Sequence, residues 1–113
     1  FTASISGYNN VAPANGIYGA SKSALSAYMK YAALELAGKG IRCNAVHPGR
    51  INTPLISNRM LTEEDVSKDV EQYPLKRYGE PSEVAHAIIY LLSDAASWVT
   101  GTNLVIDGGR SLK

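Results

Sequence analysis

The 113-residue sequence holds a single cysteine. Neither an internal disulfide nor a cysteine-based zinc site can be built from it, so a reducing, cytoplasmic setting is expected. There is no excess of either charge, because 11 Lys and Arg stand against 10 Asp and Glu for a net charge of +1. That balance removes the electrostatic grounds for a nucleic-acid or anionic-membrane partner. No apolar run approaches the ~20 residues needed to cross a bilayer, and no signal-peptide pattern opens the chain. Internal repeats, low-complexity tracts and carboxylate–histidine spacings typical of metal sites are missing as well. What remains, at 45% hydrophobic and 19% charged residues, is an ordinary globular composition that excludes collagen-like, disordered and coiled-coil classes. The length suits one small domain of ~100–150 residues.

Turn residues and hydrophobic spacing divide the chain. Phe1 to Gly7 is β-compatible and ends in the small-residue cluster Ser4-Ile5-Ser6-Gly7, followed by an Asn-, Pro- and Gly-rich loop from Tyr8 to Gly16. From Ile17 to Gly38 the pattern is helical, with Ala20, Ala24, Tyr28, Ala32 and Leu36 at four-residue steps and Leu25, Met29 and Ala33 beside them. Gly38-Lys39-Gly40 stops it. Ile41 to Val46 reads as a buried strand, broken at once by Pro48-Gly49. The stretch from Pro48 to Pro81 is irregular apart from a short acidic helix with Thr62 as N-cap and Asp65 near its start. A second helix is expected over residues 82–92, with Pro81 at its mouth and Val84, Ala85, Ile88, Ile89 and Leu92 on one face. A last strand, Thr102 to Ile106, closes in Asp107-Gly108-Gly109. Strand–helix–strand in this order implies a right-handed parallel crossover. The order β-α-β-loop-α-β is half of an open, doubly wound sheet, which at ~30 residues per repeat needs roughly 200 residues. The chain also opens inside a strand without Met or a polar lead-in, so it is expected to be the C-terminal part of a longer protein.

Three places carry chemistry. Tyr18 and Lys22 lie one helical turn apart on one face. An ammonium beside a phenol stabilises the phenolate, which makes Tyr18 a candidate acid/base toward a carbonyl or alcohol oxygen. The spacing alone fits an amphipathic helix with a solvated lysine equally well. Ser4 or Ser6 would stand at the carboxyl end of a parallel strand, where open α/β sheets bind ligands. A hydroxyl there can polarise a substrate oxygen, although paired serines also simply open loops. Finally, Asn44 to Pro54 ends a strand at Pro48-Gly49, which lets main chain approach a flat ligand or forms an ordinary turn.

Together these stretches resemble the short-chain dehydrogenase/reductase family, in particular its bacterial 3-oxoacyl-reductase-like members. The matching residues are Ser4-Ile5-Ser6-Gly7, Tyr18-Gly19-Ala20-Ser21-Lys22-Ser23-Ala24, and Ile41 to Gly49 with Thr53-Pro54. Arg77 to Ala85, and Val99 to Asn103 through Asp107-Gly108-Gly109, complete five collinear matches over nearly the whole chain. The resemblance implies an α/β fold, the C-terminal half of a doubly wound parallel-sheet Rossmann fold. Residues 1–113 would be the catalytic half of one domain, with a substrate lid over about 51–80. The Gly-rich phosphate turn, the acidic or basic cofactor selector and the relay asparagine of the family would lie outside the chain, leaving it inactive alone.

By the same resemblance, Tyr18 corresponds to the catalytic acid/base and Lys22 to the lysine that assists it and holds the nicotinamide ribose. Ser4 corresponds to the substrate-orienting serine, with Ser6 as second choice because Ser4 lies somewhat further from Tyr18 than is usual. Pro48, Gly49, Ile51 and Thr53 match the stretch lining the nicotinamide, with the Ile51 backbone and Thr53 hydroxyl toward the carboxamide. The implied cofactor is NAD or NADP, and the implied partner a small-molecule carbonyl or alcohol. Homodimers or homotetramers are also implied, with Tyr28, Tyr31, Trp98 and Val99 as anchors.

Other residues have plainer readings. Cys43 is expected mid-strand as a small hydrophobe, His47 either touches substrate or serves structure, and His86 lies at the surface or is partly packed. Glu63, Glu64 and Asp65 suit a helix N-terminus. Leu55, Ile56, Met60, Leu61 and Tyr73 give the lid an apolar face that meets a partly apolar substrate or packs the lid down. Two rivals to the oxidoreductase remain: a truncated, non-catalytic remnant serving as a binding or assembly module, and an extended-family epimerase or dehydratase sharing Tyr-x-x-x-Lys. The Asn44–Thr53 and Asp107–Gly109 stretches fit the shorter reductases better.

Overall fold

A computed structural model describes residues 1–57 and 62–113. Two strands, β1 (Ala45–Pro48) and β2 (Asn103–Ile106), pair in parallel with Ala45 opposite Asn103 and Pro48 opposite Ile106. On the other side of β1, Thr2 bridges Val46, also in parallel. There the Ala3 amide donates to the Val46 carbonyl at 2.9 Å and the Val46 amide to the Phe1 carbonyl at 3.0 Å. Three parallel runs therefore lie in the order N-terminal segment, β1, β2.

Helix α1 (Gly16–Ala37) makes the crossover between the first two runs. α2 (Pro54–Ser57) and α3 (Glu63–Val70) follow β1, and α4 (Pro81–Leu92) precedes β2. Neighbouring strand residues point to opposite faces of a sheet, and β1 shows which helix covers which. His47 meets Ser26 of α1, whereas Val46 lines a hollow with Ile88, Leu91 and Leu92 of α4. The sheet is thus sandwiched between α1 and α4. Its core is small: Met29, Ala32 and Ala33 of α1, Ala45, Val46 and His47 of β1, and Leu91 of α4 are buried with Ala3, Ile5 and Ala96.

The sequence pattern and the structure differ at identifiable places. The expected opening strand keeps only its first residues, because Ile5–Gly7 winds into a 3-10 turn whose N-cap, Ser4, accepts from the Ser6 amide at 3.2 Å. The expected strand over Ile41 to Val46 is displaced to Ala45–Pro48, with Pro48 ending the ladder rather than breaking it. Side chains take over the backbone groups ahead of it: Thr100 Oγ1 accepts from the Cys43 amide at 3.1 Å and Asn44 Oδ1 from the Thr102 amide at 3.1 Å. Cys43 is accordingly half-buried before the strand, not mid-strand. In the same segment Arg42 donates to the Leu91, Val99 and Ser93 carbonyls at 2.8, 3.1 and 3.3 Å. It thereby satisfies acceptors that the end of a helix leaves unpaired.

On α4, Leu91 is the buried residue, while Ile89 and Leu92 of the expected face are exposed. On α1 the buried stripe runs through Ser26, Met29 and Ala33, leaving Ala20, Ala24 and Tyr28 exposed. α2 was not apparent from the pattern. His86 is exposed. No helix among the described residues is long and apolar enough to cross a membrane, and none of their acidic, His or Cys groups cluster as metal ligands.

Helices α3 and α4 both start on capping boxes with an acidic third residue. Thr62 Oγ1 accepts from the Asp65 amide at 3.1 Å while the Asp65 carboxylate accepts from the Thr62 amide at 3.2 Å, the reciprocal box that the sequence suggests. At α4, Glu83 accepts two bonds from Arg77, both 2.7 Å, and one from the Glu80 amide at 2.8 Å. These bonds, the Arg77 pair foremost, bring the Glu83 carboxyl down from 4.5 to about 2. A lowered folded-state value means the contribution is complete above about pH 4.5 and disappears as the pH falls toward 2. Glu83→Gln should therefore lower the melting temperature at pH 7 and weaken its fall between pH 5 and pH 2. Circular-dichroism melts across that range check this; an unaltered pH slope would contradict it.

Candidate active site

Two loops at the carboxyl ends of the parallel runs meet a third part at one cleft. The first is the turn Ile5–Gly7, seated on the N-terminal part of α1. The seat is a contact of main chain on main chain: a Cβ on Gly7 would stand 2.5 Å from the Lys22 carbonyl carbon and 2.6 Å from the Ser23 amide nitrogen. From the helix side, a Cβ on Gly19 would come within 2.9 Å of the Ser6 carbonyl oxygen. Only hydrogen atoms fit in these gaps. Ser23 Oγ adds a 2.9 Å bond to the Gly7 carbonyl. Ser4 is thereby held, mostly buried, against the helix that carries Tyr18 and Lys22.

The second loop follows β1. Gly49 donates to the Ile106 carbonyl at 2.9 Å, and a Cβ there would lie 3.0 Å from Asp107 Cα, so β2 presses directly on this turn. Ile51 bridges Gly79 in parallel, through bonds from the Asn52 amide to the Gly79 carbonyl at 2.8 Å and from the Gly79 amide to the Arg50 carbonyl at 3.0 Å. Because a parallel bridge uses the groups flanking Ile51, its own N–H and C=O face away from Gly79.

The third part is α3 with the residues after it. Arg50 Nη1 meets Asp69 Oδ2 at 2.9 Å as an ion pair rather than an aligned hydrogen bond. The Arg50 amide donates to the Tyr73 hydroxyl at 3.2 Å. Burial pushes the Tyr73 and Tyr78 phenols above the usual tyrosine range. For Tyr78 the neighbouring Asp69 adds to that shift.

Between these parts lies a cleft of about 430 Å³. Ser4, Ser6, Tyr18, Gly49, Ile51 and Thr53 all line it. Lys22 stands just outside, its ammonium 5.7 Å from the centre of the Tyr18 ring and donating to the Thr2 carbonyl at 3.1 Å. Pro48 does not reach the cleft; it ends the ladder opposite Ile106. Of the apolar residues expected in the lid, Leu55, Ile56 and Tyr73 line the cleft, while Met60 and Leu61 fall outside the described residues.

Sequence reasoning did not single out Arg50, Asp69, Asn10 or Arg110, which also line the cleft. Arg50 was within reach, since it sits inside the Pro-Gly stretch. The Arg50–Asp69 pairing carries no local pattern and had no signal.

The family described as enoyl-(acyl carrier protein) reductase matches residues 1–111 of the sequence. The chain belongs to the short-chain dehydrogenase/reductase family. Within that family it is 46% identical over 112 residues to a cyclohexanol dehydrogenase of Acinetobacter sp. (strain SE19), covering 99% of this chain and 42% of the relative. It is 44% identical over 108 residues to a 3-oxoacyl-(acyl-carrier-protein) reductase of Thermotoga maritima, covering 88% of this chain and 43% of that one. Among solved structures, a 4-hydroxyisoleucine dehydrogenase complexed with NADH superposes with a TM-score of 0.93 at 36% identity, over 99% of this chain and 46% of that one. A short-chain type dehydrogenase/reductase from Mycobacterium ulcerans gives a TM-score of 0.92 at 39% identity, over 99% and 40%. The chain thus spans less than half the length of these short-chain dehydrogenases/reductases, and its parallel α/β architecture is part of their Rossmann fold.

The main-chain seat makes a sharp prediction. Gly7→Ala should push the serine turn off α1, costing ~1–3 kcal/mol as overpacking does, while an alanine at exposed Gly16, where a Cβ meets nothing within 4 Å, should not. Denaturant titration of the two variants checks this; equal stability would show that the seat is not tight.

Proposed function

We propose that the protein carrying this chain is an NAD- or NADP-dependent oxidoreductase that interconverts a small carbonyl compound and its alcohol, with Tyr18 as proton donor and acceptor. The observation that carries the reading is one cleft lined by the Ser4 hydroxyl, the Tyr18 phenol and the Ile51–Thr53 segment, with the Lys22 ammonium 5.7 Å from the Tyr18 ring. The residues present suit a nicotinamide: Ile51 has an N–H and a C=O turned away from its bridge, and Thr53 brings a hydroxyl to the same wall. A planar carboxamide needs such a donor and acceptor pair.

When bound, the nicotinamide would supply or accept the hydride. Ser4 would hold the substrate oxygen by a hydrogen bond and help polarise it. Tyr18 would give that oxygen a proton in reduction and take one in oxidation. Lys22, whose ammonium stands 5.7 Å from the centre of the Tyr18 ring, would hold the nicotinamide ribose and set a positive charge beside the phenol. Leu55, Ile56 and Tyr73 give the opposite wall an apolar character, which suits a partly apolar substrate. Residues 51–80 act in this reading as the substrate lid, and residues 1–113 as the catalytic half of a domain whose phosphate-binding half is elsewhere. Tyr28, Tyr31 and Trp98, 61, 66 and 99% exposed, with half-buried Val99 beside them, are then contacts for the remainder of the fold and for homodimer or homotetramer partners.

Tyr18→Phe in the whole protein should lower turnover by at least ~100-fold, the usual worth of a placed acid/base, with NADH or NADPH binding by fluorescence preserved. Turnover retained in that variant would remove Tyr18 from the chemistry, and no binding of either cofactor by the parent would sink the oxidoreductase reading. Lys22→Ala should weaken both turnover and cofactor affinity, as steady-state kinetics and the same titration would read. An unchanged affinity would leave Lys22 without its ribose-binding role.

A further inference from the structure

His47 is fully buried, yet every polar edge of its ring is engaged. Nδ1 lies 2.9 Å from the Ser4 carbonyl oxygen. A carbonyl can only accept, so Nδ1 carries the hydrogen of that bond. Nε2 of the neutral ring is then an acceptor: it lies 2.9 Å from the side-chain amide of Asn103 on β2, whose NH2 donates to it with the amide turned to suit, and in contact with Oγ of Ser26 on α1 at 3.3 Å. Ser26 in turn donates to the Lys22 carbonyl at 3.0 Å. The Tyr8 ring closes the remaining side, its centre 4.9 Å from that of His47. One side chain therefore ties the serine turn to β1, to β2 and to the turn of α1 that begins at Lys22.

We propose that His47 is a positioning residue for Ser4: its ring sets the distance between the serine and the Tyr18–Lys22 helix without touching substrate. The inference rests on the reading of Ser4 and Tyr18 as the reacting pair. Ser4 is in extended backbone, at φ −166 and ψ 153, and its carbonyl is the acceptor by which the sheet core holds it. The Ser26 and Asn103 contacts stop the imidazole from rotating, so the serine inherits the rigidity of both strands. Without the ring, the Ser4 carbonyl would lose its tie to the sheet core, and the serine would be held by the Ala3–Val46 bond before it, the Ser6 amide on its hydroxyl and the Gly7 seat.

Two near-isosteric variants of the whole protein separate the ends of the link. An Asn side chain can place its NH2 near the position of Nδ1, and a Gln side chain can place its carboxamide oxygen near that of Nε2. His47→Asn keeps the bond to Ser4 and should hold kcat within about threefold of the parent. His47→Gln keeps the Ser26 and Asn103 side, releases Ser4, and should lower kcat about tenfold or more with cofactor Kd unchanged, since displacements near 1 Å can cost up to ~100-fold. In a Ser4→Ala background His47→Gln should cost nothing further, because residues acting through one another are not additive. Should His47→Gln fail to fold, Ser26→Ala loosens the ring from α1 and should lower kcat about threefold with Ser4 present and not with Ser4→Ala. Equal losses in His47→Asn and His47→Gln, or an undiminished loss of either mutation in the Ser4→Ala background, would overturn the proposal. An unchanged kcat in Ser4→Ala alone would overturn the site reading beneath it, so the two failures are distinct.

Discussion

The arrangement of the site depends on how closely the turn Ile5–Gly7 can approach α1. Two glycines, one on each partner, let main chain meet main chain where a single methyl group would stand 2.5 to 2.9 Å from backbone atoms. Side-chain packing alone does not fix a hydroxyl as well as that, because rotamers can readjust while a backbone seat cannot. Ser4 and Tyr18 come from elements separated by a loop, yet they share one cleft wall because this contact leaves no slack. Gly49 does the same on the facing wall, where β2 presses on the turn after β1.

Charge is used sparingly around this framework. The Arg50–Asp69 pair sits beside two buried phenols and joins the turn after β1 to α3. Lys22 has no carboxylate partner among the described residues; its ammonium is turned to a carbonyl and to the Tyr18 ring. A partnering carboxylate would have drawn it away from the phenol. The deeply buried polar side chains of His47, Ser26 and Ser4 are joined to one another, to Asn103 or to backbone, as buried polar groups usually are.

Much of the fold could be read in the sequence because its elements carry local signals. Alanine-rich periodicity located α1 to within a residue at each end, the Thr62–Asp65 box located α3, and Pro81 marked the start of α4. Strand limits were less legible: Ile41 to Asn44 have strand-like composition, but Thr100 and Asn44 side chains occupy the bonds a ladder would need. Helix faces misled for a different reason. The exposed Tyr28, Ile89 and Leu92 are apolar without being covered by these residues, so a stripe that periodicity assigns inward is open here. Of the residues that line the cleft, Ser4, Tyr18, Gly49, Ile51 and Thr53 lie in motifs visible in the sequence, whereas the Asp69 and His47 contacts reach 19 and 43 residues away, which no spacing encodes.

The central claim is that the cleft between the serine turn, α1 and the Ile51–Thr53 segment receives the nicotinamide and the reacting oxygen together. A crystal structure of the whole protein with NADH and an unreactive substrate analogue tests it most directly. The account predicts the carboxamide against Ile51 and Thr53, with the analogue's oxygen within hydrogen-bond distance of both Tyr18 and Ser4. A nicotinamide bound elsewhere, or an analogue oxygen out of reach of Tyr18, would contradict it.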